Sequence, residues 1–231
     1  MTGMRSMSRI VVVLLLVSGC ASAPDTSEPM PGAAELTAAA ARSLSVPRPV
    51  RFTYGASGVL PGMLVNSAEG QARPADGPHG WAKGTVALQR PTDQVTLGFE
   101  LSGDTLMLAD ESGLATRAPL PSLTPASLRD PARGLPRLLS GAARARTEAK
   151  EKLENVPAYR VTAKVPADVV TAVLPAVNTE VDVKFWISEA PSRELVRVWL
   201  QVPPPERGQG AAVMLELALK WDQGSFTSEE G

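Results

Sequence analysis

Val181-Asp182-Val183-Lys184-Phe185-Trp186-Ile187-Ser188 and, beyond Pro191-Ser192, Val196-Arg197-Val198-Trp199-Leu200-Gln201-Val202 each place an apolar side chain at every second position. A period of two is the mark of a strand with one buried face. The connection between the two runs is too short for a helical crossover, so the strands are antiparallel neighbours. After the Pro203–Gly210 stretch the pattern returns, with Val213, Leu215, Leu217 and Leu219 set against Met214, Glu216 and Lys220. Trp186 and Trp199 fall on the opposite parity, beside Lys184 and Arg197, which places them on the outer face of the sheet.

Upstream the same signal recurs in Tyr159, Val161, Ala163 and Val165, and in Val95, Leu97, Phe99 and Leu101, the latter against Thr96, Gly98 and Glu100. Ser102-Gly103-Asp104 and Glu111-Ser112-Gly113 are turn signals. Three segments read as helices. Gly32 to Leu44 is Ala-rich and is stopped by Pro47 and Pro49. Asp130-Pro131 opens a second, over 134–142, with Leu135, Leu138 and Leu139 on one face and Pro136 confined to its first turn. The third spans 167–174, with Val169, Val170, Val173 and Leu174 on one face. Strands joined by short turns and covered by a few helices make an α+β fold: one large antiparallel sheet whose apolar face the helices cover.

The N-terminus reads differently. Arg5 and Arg9 precede an unbroken apolar run, Ile10 to Val17, far shorter than the roughly 20 residues of a membrane-spanning helix. It ends in Val17-Ser18-Gly19-Cys20, which resembles the lipobox of bacterial lipoproteins: an apolar residue, two small ones, then the cysteine that is acylated. Cys20 is the sole cysteine, so a disulfide within the chain is excluded. Residues 1–19 are therefore expected to be a signal peptide. Residues 20–33 are a lipidated cysteine and a Pro/Ser-rich tether, and 34–231 form one domain. Thirteen tether residues give a root-mean-square reach of about 20 Å. A diacylglyceryl cysteine carries two chains, enough for stable anchoring.

Composition narrows function. Without residues 1–19, which carry two of the 23 Lys+Arg, 21 cations face 24 acids. The mature chain is mildly acidic, which speaks against a nucleic-acid partner. His79, the single histidine, lies in Gly77-Pro78-His79-Gly80, a solvated turn by default. No Gly-x-Ser-x-Gly elbow, Gly-rich phosphate loop or paired carboxylates in helical register occur, so neither catalysis, metal nor cofactor is expected. The run Arg144–Glu154 alternates in charge and reads as a solvated edge strand or helix face.

The order of elements adds a resemblance. A lipobox and an Ala-rich helix are followed by Gly58-Val59-Leu60-Pro61-Gly62, Asp130-Pro131 and Gly134-Leu135. Then come Tyr159-Arg160-Val161-Thr162-Ala163-Lys164-Val165, Val183-Lys184-Phe185-Trp186-Ile187 and Leu217-Ala218-Leu219-Lys220-Trp221. This resembles the LppX/LprAFG lipoproteins of actinobacterial envelopes over nearly the whole mature domain. The resemblance implies a curved half-barrel with helices on its concave face around an apolar cavity. It also implies a non-enzymatic carrier of di- or triacylated lipid or glycolipid across the envelope. Such a carrier is held on the outer face of the plasma membrane by acyl chains such as palmitate, with a membrane transporter as a further partner. Leu97, Phe99, Leu101, Val183, Phe185, Val198, Leu200, Leu215 and Leu217 form the buried sheet face; on this resemblance they line the cavity, with Leu138 and Val169 from the helices. The chain lacks a tyrosine that the family often has in the strand corresponding to Leu106-Met107-Leu108, and its Val202–Arg207 turn is long. The rival reading is a fully packed structural or interaction lipoprotein that docks on an envelope partner.

Overall fold

A computed structural model of the chain describes residues 29–60, 62–74, 76–90, 93–204 and 211–222. Its strands are β1 (Val50–Ala56), β2 (Val65–Arg73), β3 (Trp81–Gln89), β4 (Gln94–Ser102), β5 (Thr105–Ala109), β6 (Ala115–Ala118), β7 (Ala143–Leu153), β8 (Val156–Val165), β9 (Val181–Ser188), β10 (Leu195–Val202) and β11 (Val213–Trp221). They form one antiparallel sheet in the order β6-β5-β4-β3-β2-β1-β11-β10-β9-β8-β7. Every neighbour pair but one is consecutive in the chain, most of them joined by turns and β8–β9 by a segment that carries a helix. The exception joins β1 to β11 and brings the two ends of the domain together at the middle of the sheet. Both outer strands are managed edges: β6 is four residues long, and β7 carries two register shifts and alternating charges. The charged run Arg144–Glu154 is thus an edge strand and its turn, with Glu154 and Asn155 at positive φ.

Three helices lie on the apolar face. α1 (Ala33–Leu44) buries Ala33, Leu36, Thr37, Ala40 and Leu44, a stripe at helical spacing, and rests on β7, β9 and β10. α2 (Leu135–Ser140) packs between α1 and α3 (Ala167–Val173), starting at Gly134 with Pro136 in its first turn. All three therefore cover the β7–β10 side of the sheet. There Val161, Val165, Val181, Phe185, Ile187 and Leu195 are at most 1% exposed. The connection from β6 to α2 crosses one end of the face through a 3-10 turn, Ser127–Arg129. Arg129 fastens it by donating to the carbonyls of Leu44 (2.9 Å) and Ser45 (2.7 Å).

Two details depart from the alternation read in the sequence. A bulge between Leu195 and Arg197 hands the inward place from Val196 to Leu195, which is fully buried while Val196 is half-exposed. Strands β1 to β3, β5 and β6 go beyond the five alternating runs recognised there.

Curvature has a local cause in β2 and β3. Gly70 and Gly84 face one another across this pair. A Cβ on Gly84 would stand 1.9 Å from the Glu69 carbonyl oxygen, and one on Gly70 2.2 Å from that of Lys83. The strands approach where no side chain fits. Phe52 on β1 and Phe99 on β4 flank the glycines in the same row and close over them. Their ring centroids are 6.4 Å apart although three strand spacings of roughly 4.8 Å each separate their backbones. Gly84→Val is expected to cost about 2–4 kcal/mol, because the clash is with backbone and cannot be relieved by a rotamer change. Urea denaturation of the variant beside wild type checks this; an unchanged midpoint would contradict it.

Candidate functional site

The cross-strand register defines rows of side chains running along the apolar face. One runs Leu97, Val86, Ala68, Tyr54, Leu217, Val198, Phe185, Val161 from β4 to β8. A second, towards the other end of the strands, runs Leu106, Leu101, Ala82, Ala72, Val50, Trp221. Between them lies the row of Leu108, Phe99, the two glycines, Phe52 and Leu219.

Burial along these rows is uneven, and the unevenness outlines a site. In the second row Leu101, Ala82, Ala72 and Val50 are 3–6% exposed, because the β6–α2 connection closes that end: Ala126 N–H donates to the His79 carbonyl (3.1 Å), and the Pro125 side chain sits over Gly80. In the first row Leu97, Ala68, Tyr54 and Leu217 are only half-buried, as are Phe52, Phe99, Leu106 and Leu108. The helices stop short of strands β1–β5, and an apolar trough is left there. It is closed at the His79 end and open at the end of the β1–β2 and β5–β6 connections.

The eleven side chains read from the sequence as cavity lining divide accordingly. Val183, Phe185, Val198, Leu200, Leu215, Leu138 and Val169 are buried beneath or within the helical layer, and Leu101 is buried at the closed end. Leu97, Phe99 and Leu217 stand in the trough. The two groups share a face: Phe99 and Leu217 pack against the edge of the buried cluster, Leu217 directly opposite Val198, while Leu97 on β4 stands apart with β3, β2 and β1 between it and β11. Cys20 lies outside the described residues.

Tyr54 was not among the residues singled out. Its hydroxyl, in the middle of an apolar row, donates to the thioether of Met63 at 3.1 Å, a weak acceptor. Burial pushes its pKa up from 10.0 to about 12. With the folded pKa above the unfolded one, stability is level below pH 10 and falls as pH rises towards 12, because only the unfolded chain ionises in that window. Tyr54→Phe is expected to flatten this alkaline decline; thermal midpoints measured between pH 9 and 11 would show it, and an unaltered slope would refute it.

The outer face is polar. Lys184 lies over Trp199 and Arg197 over Trp186, at 5.1 and 5.8 Å from the ring centroids. Trp186 Nε1 also donates to Glu151, and Arg160 bridges Glu148 and Glu151. Both tryptophans therefore sit where parity put them. Two shallow clefts on this face, of about 260 and 290 Å³, are lined largely by polar side chains. His79 Nε2 is 3.2 Å from Asp104 Oδ1, tying two turns together at the closed end. Among the described residues no three His, Cys, Asp or Glu side chains are grouped to hold a metal, and no helix is long and apolar enough to cross a membrane.

Comparison with known proteins agrees with this geometry. The model of the LppX_LprAFG lipoprotein family matches residues 32–224. The lipoarabinomannan carrier protein LprG of Mycolicibacterium hassiacum is 26% identical over 201 residues, covering 84% of this chain and 86% of that one. Its namesake in Mycolicibacterium smegmatis is 25% identical over 187 residues, covering 75% and 76%. Among solved structures, LprF from Mycobacterium bovis aligns with a TM-score of 0.68 at 14% identity, over 89% of this chain and 97% of that one. Lipoprotein LppX from Mycobacterium tuberculosis aligns at 0.65 and 17%, over 84% and 97%. At these identities the two structures speak for the fold alone.

Proposed function

Because the chain belongs to the LppX_LprAFG lipoprotein family, we propose that it is a lipid-carrying envelope lipoprotein whose trough shelters acyl chains during transit across the envelope. The observation that carries this is the row Leu97–Val86–Ala68–Tyr54–Leu217 with Phe52 and Phe99: a continuous apolar floor, all but Val86 half-buried, left half-open by helices that cover only the other side of the sheet. Relatives named as lipoarabinomannan carriers support a glycolipid or other acylated lipid as cargo. The reading needs no reacting group.

The physics sets what such a trough does. A sixteen-carbon chain gains on the order of 12 kcal/mol on leaving water for an apolar site, at about 0.8 per methylene. It gains almost nothing on leaving a bilayer, so the carrier lowers the barrier to aqueous passage and need not bind tightly. Chains would first lie against Leu97, Phe99, Phe52, Leu108 and Leu217. The buried members Val183, Phe185, Val198, Leu200, Leu215, Leu101, Leu138 and Val169 become lining only if the helices move off the sheet. Tyr54 offers a donor that an ester carbonyl satisfies better than a thioether does. We place the protein at the outer face of the plasma membrane, residues 1–19 removed, Cys20 acylated, and residues 34–231 held as the carrier domain by the tether of 20–33.

Burial of eight of the eleven lining residues favours one rival, a packed interaction lipoprotein that docks on an envelope partner and carries nothing. Mass spectrometry of lipids extracted from the purified full-length chain separates the two. Stoichiometric acylated lipid beyond the anchor itself is expected; its absence would leave the rival standing.

A further inference from the structure

The open end of the trough has an unusual border. β1, β3 and β5 all end there, so the β1–β2, β3–β4 and β5–β6 connections stand side by side. Gln89 N–H at the end of β3 donates to the Leu64 carbonyl (2.7 Å), while Ser57 and Met214 exchange two bonds of 2.9 Å. The β1–β2 connection is thus pinned on both sides. Its apolar residues are sorted. Leu60 is buried and Met63 half-buried towards the trough, whereas Val59 and Leu64 point outward at 62% and 63% exposed. Across the mouth the β5–β6 turn is closed by Asp110, whose carboxylate accepts from the backbone N–H of Ser112 and Leu114 (2.9 and 3.1 Å). That turn holds Leu114 out at 66%. These are the three most exposed large apolar side chains among the described residues, and they ring the mouth of the trough.

We propose that Val59, Leu64 and Leu114 form a membrane-contact rim that inserts into the interface of a phospholipid bilayer, so that the trough opens directly onto the acyl layer. The proposal rests on the carrier reading and on Cys20 as the anchor. The tether makes the contact geometrically possible. Pro31 is fixed to β7 by Thr147, whose hydroxyl donates to its carbonyl at 2.8 Å. From Thr147 to Ala143, where β7 starts at the same end of the sheet, is four residues, roughly 14 Å of strand. The eleven residues from Cys20 to Pro31 span at most about 36–40 Å, and typically about 17–20 Å. Charge gives no competing attraction, since the described charges beside the rim are Arg90, Asp93, Asp110 and Glu111. Contact should therefore depend on apolar insertion and withstand high salt. Rigid outward apolar side chains on a surface facing water would otherwise have no partner; a bilayer held by the same chain is always within reach.

The test uses the full lipidated chain in phosphatidylcholine vesicles, with an environment-sensitive dye on a single cysteine introduced by Val59→Cys, Leu64→Cys, Leu114→Cys or, at the opposite end, Val156→Cys. Dye emission at 59, 64 and 114 is expected to rise several-fold, in low and high salt alike, and to be quenched by spin-labelled lipid, with no change at 156. A silent rim, or an equal response at 156, would overturn the proposal. Lipid extracted from the same samples keeps the two readings apart. Bound lipid with a silent rim removes the rim and leaves the carrier. A responding rim without bound lipid removes the carrier and leaves a membrane-contact surface.

Discussion

Leu97→Trp is expected to lower the acylated lipid recovered with the purified chain at least about tenfold, a loss of about 1.4 kcal/mol, while leaving its thermal midpoint within a few degrees of wild type. Leu97 lies in the half-buried row at the open side of the trough, opposite Val86 on β3. An indole there projects into the space an acyl chain would occupy and displaces at least two methylenes from the floor, at about 0.8 kcal/mol each. The fold tolerates the change because the added atoms point into the trough and not into packed core. Val198→Trp is the informative contrast. Val198 is 1% exposed between Leu217 and Phe185, beneath the helical layer. Two extra rings there overpack a closed site, at a cost of about 1–3 kcal/mol or more. If Leu97→Trp carries lipid like wild type while Val198→Trp does not, the cargo lies under the helices and not in the open trough.

That contrast also marks where the sequence stops being legible. Leu97 and Val198 read alike, as inward positions of alternating strands, and parity alone assigns both to the same face. Which part of the face is roofed depends on the footprint of α1, α2 and α3 over β7–β10. That footprint is set by tertiary packing and leaves no local mark on β4. The strands with strong alternation of Val, Leu and Phe, namely β4 and β8 to β11, were readable, and so were all three helices, whose ends are punctuated by Gly32, Gly134 and flanking prolines. β2 and β3 were not. Apart from Val86 and Leu88 at one end of β3, their inward positions hold Ala68, Gly70, Ala72, Ala82 and Gly84, which carry little hydropathy, because bare backbone is what the sheet needs where Phe52 and Phe99 meet. Tyr54 sits in a strand that does alternate, Val50, Phe52, Tyr54 and Ala56 against Arg51, Thr53 and Gly55, but this run is short and directly follows Pro47 and Pro49. The outward pair Val59 and Leu64 was hidden in a turn-like motif whose sorting of side chains only the loop's pinned geometry reveals.

Cys20→Ala is expected to move the protein almost completely out of the membrane fraction and to abolish labelling by radioactive palmitate. Cys20 is the only thiol in the chain, and among the described residues no helix offers another means of spanning the bilayer. On the proposed anchor each sixteen-carbon chain would contribute on the order of 12 kcal/mol of transfer from water, so losing both would leave no comparable attraction. The rim of Val59, Leu64 and Leu114 would bury only three side chains in part, at about 1.5–3 kcal/mol each when fully covered, which is millimolar-scale binding once association entropy is subtracted. Its contribution depends on the high local concentration that a short tether provides. The variant should therefore also exchange lipid with vesicles far more slowly than wild type, although its trough is intact, and reattachment through an engineered N-terminal lipid anchor should restore the rate. Cys20→Ala protein that remains in the membrane fraction with wild-type mobility would show that the anchor lies elsewhere. Protein that is released yet exchanges lipid at the wild-type rate would show that the tether contributes nothing to loading.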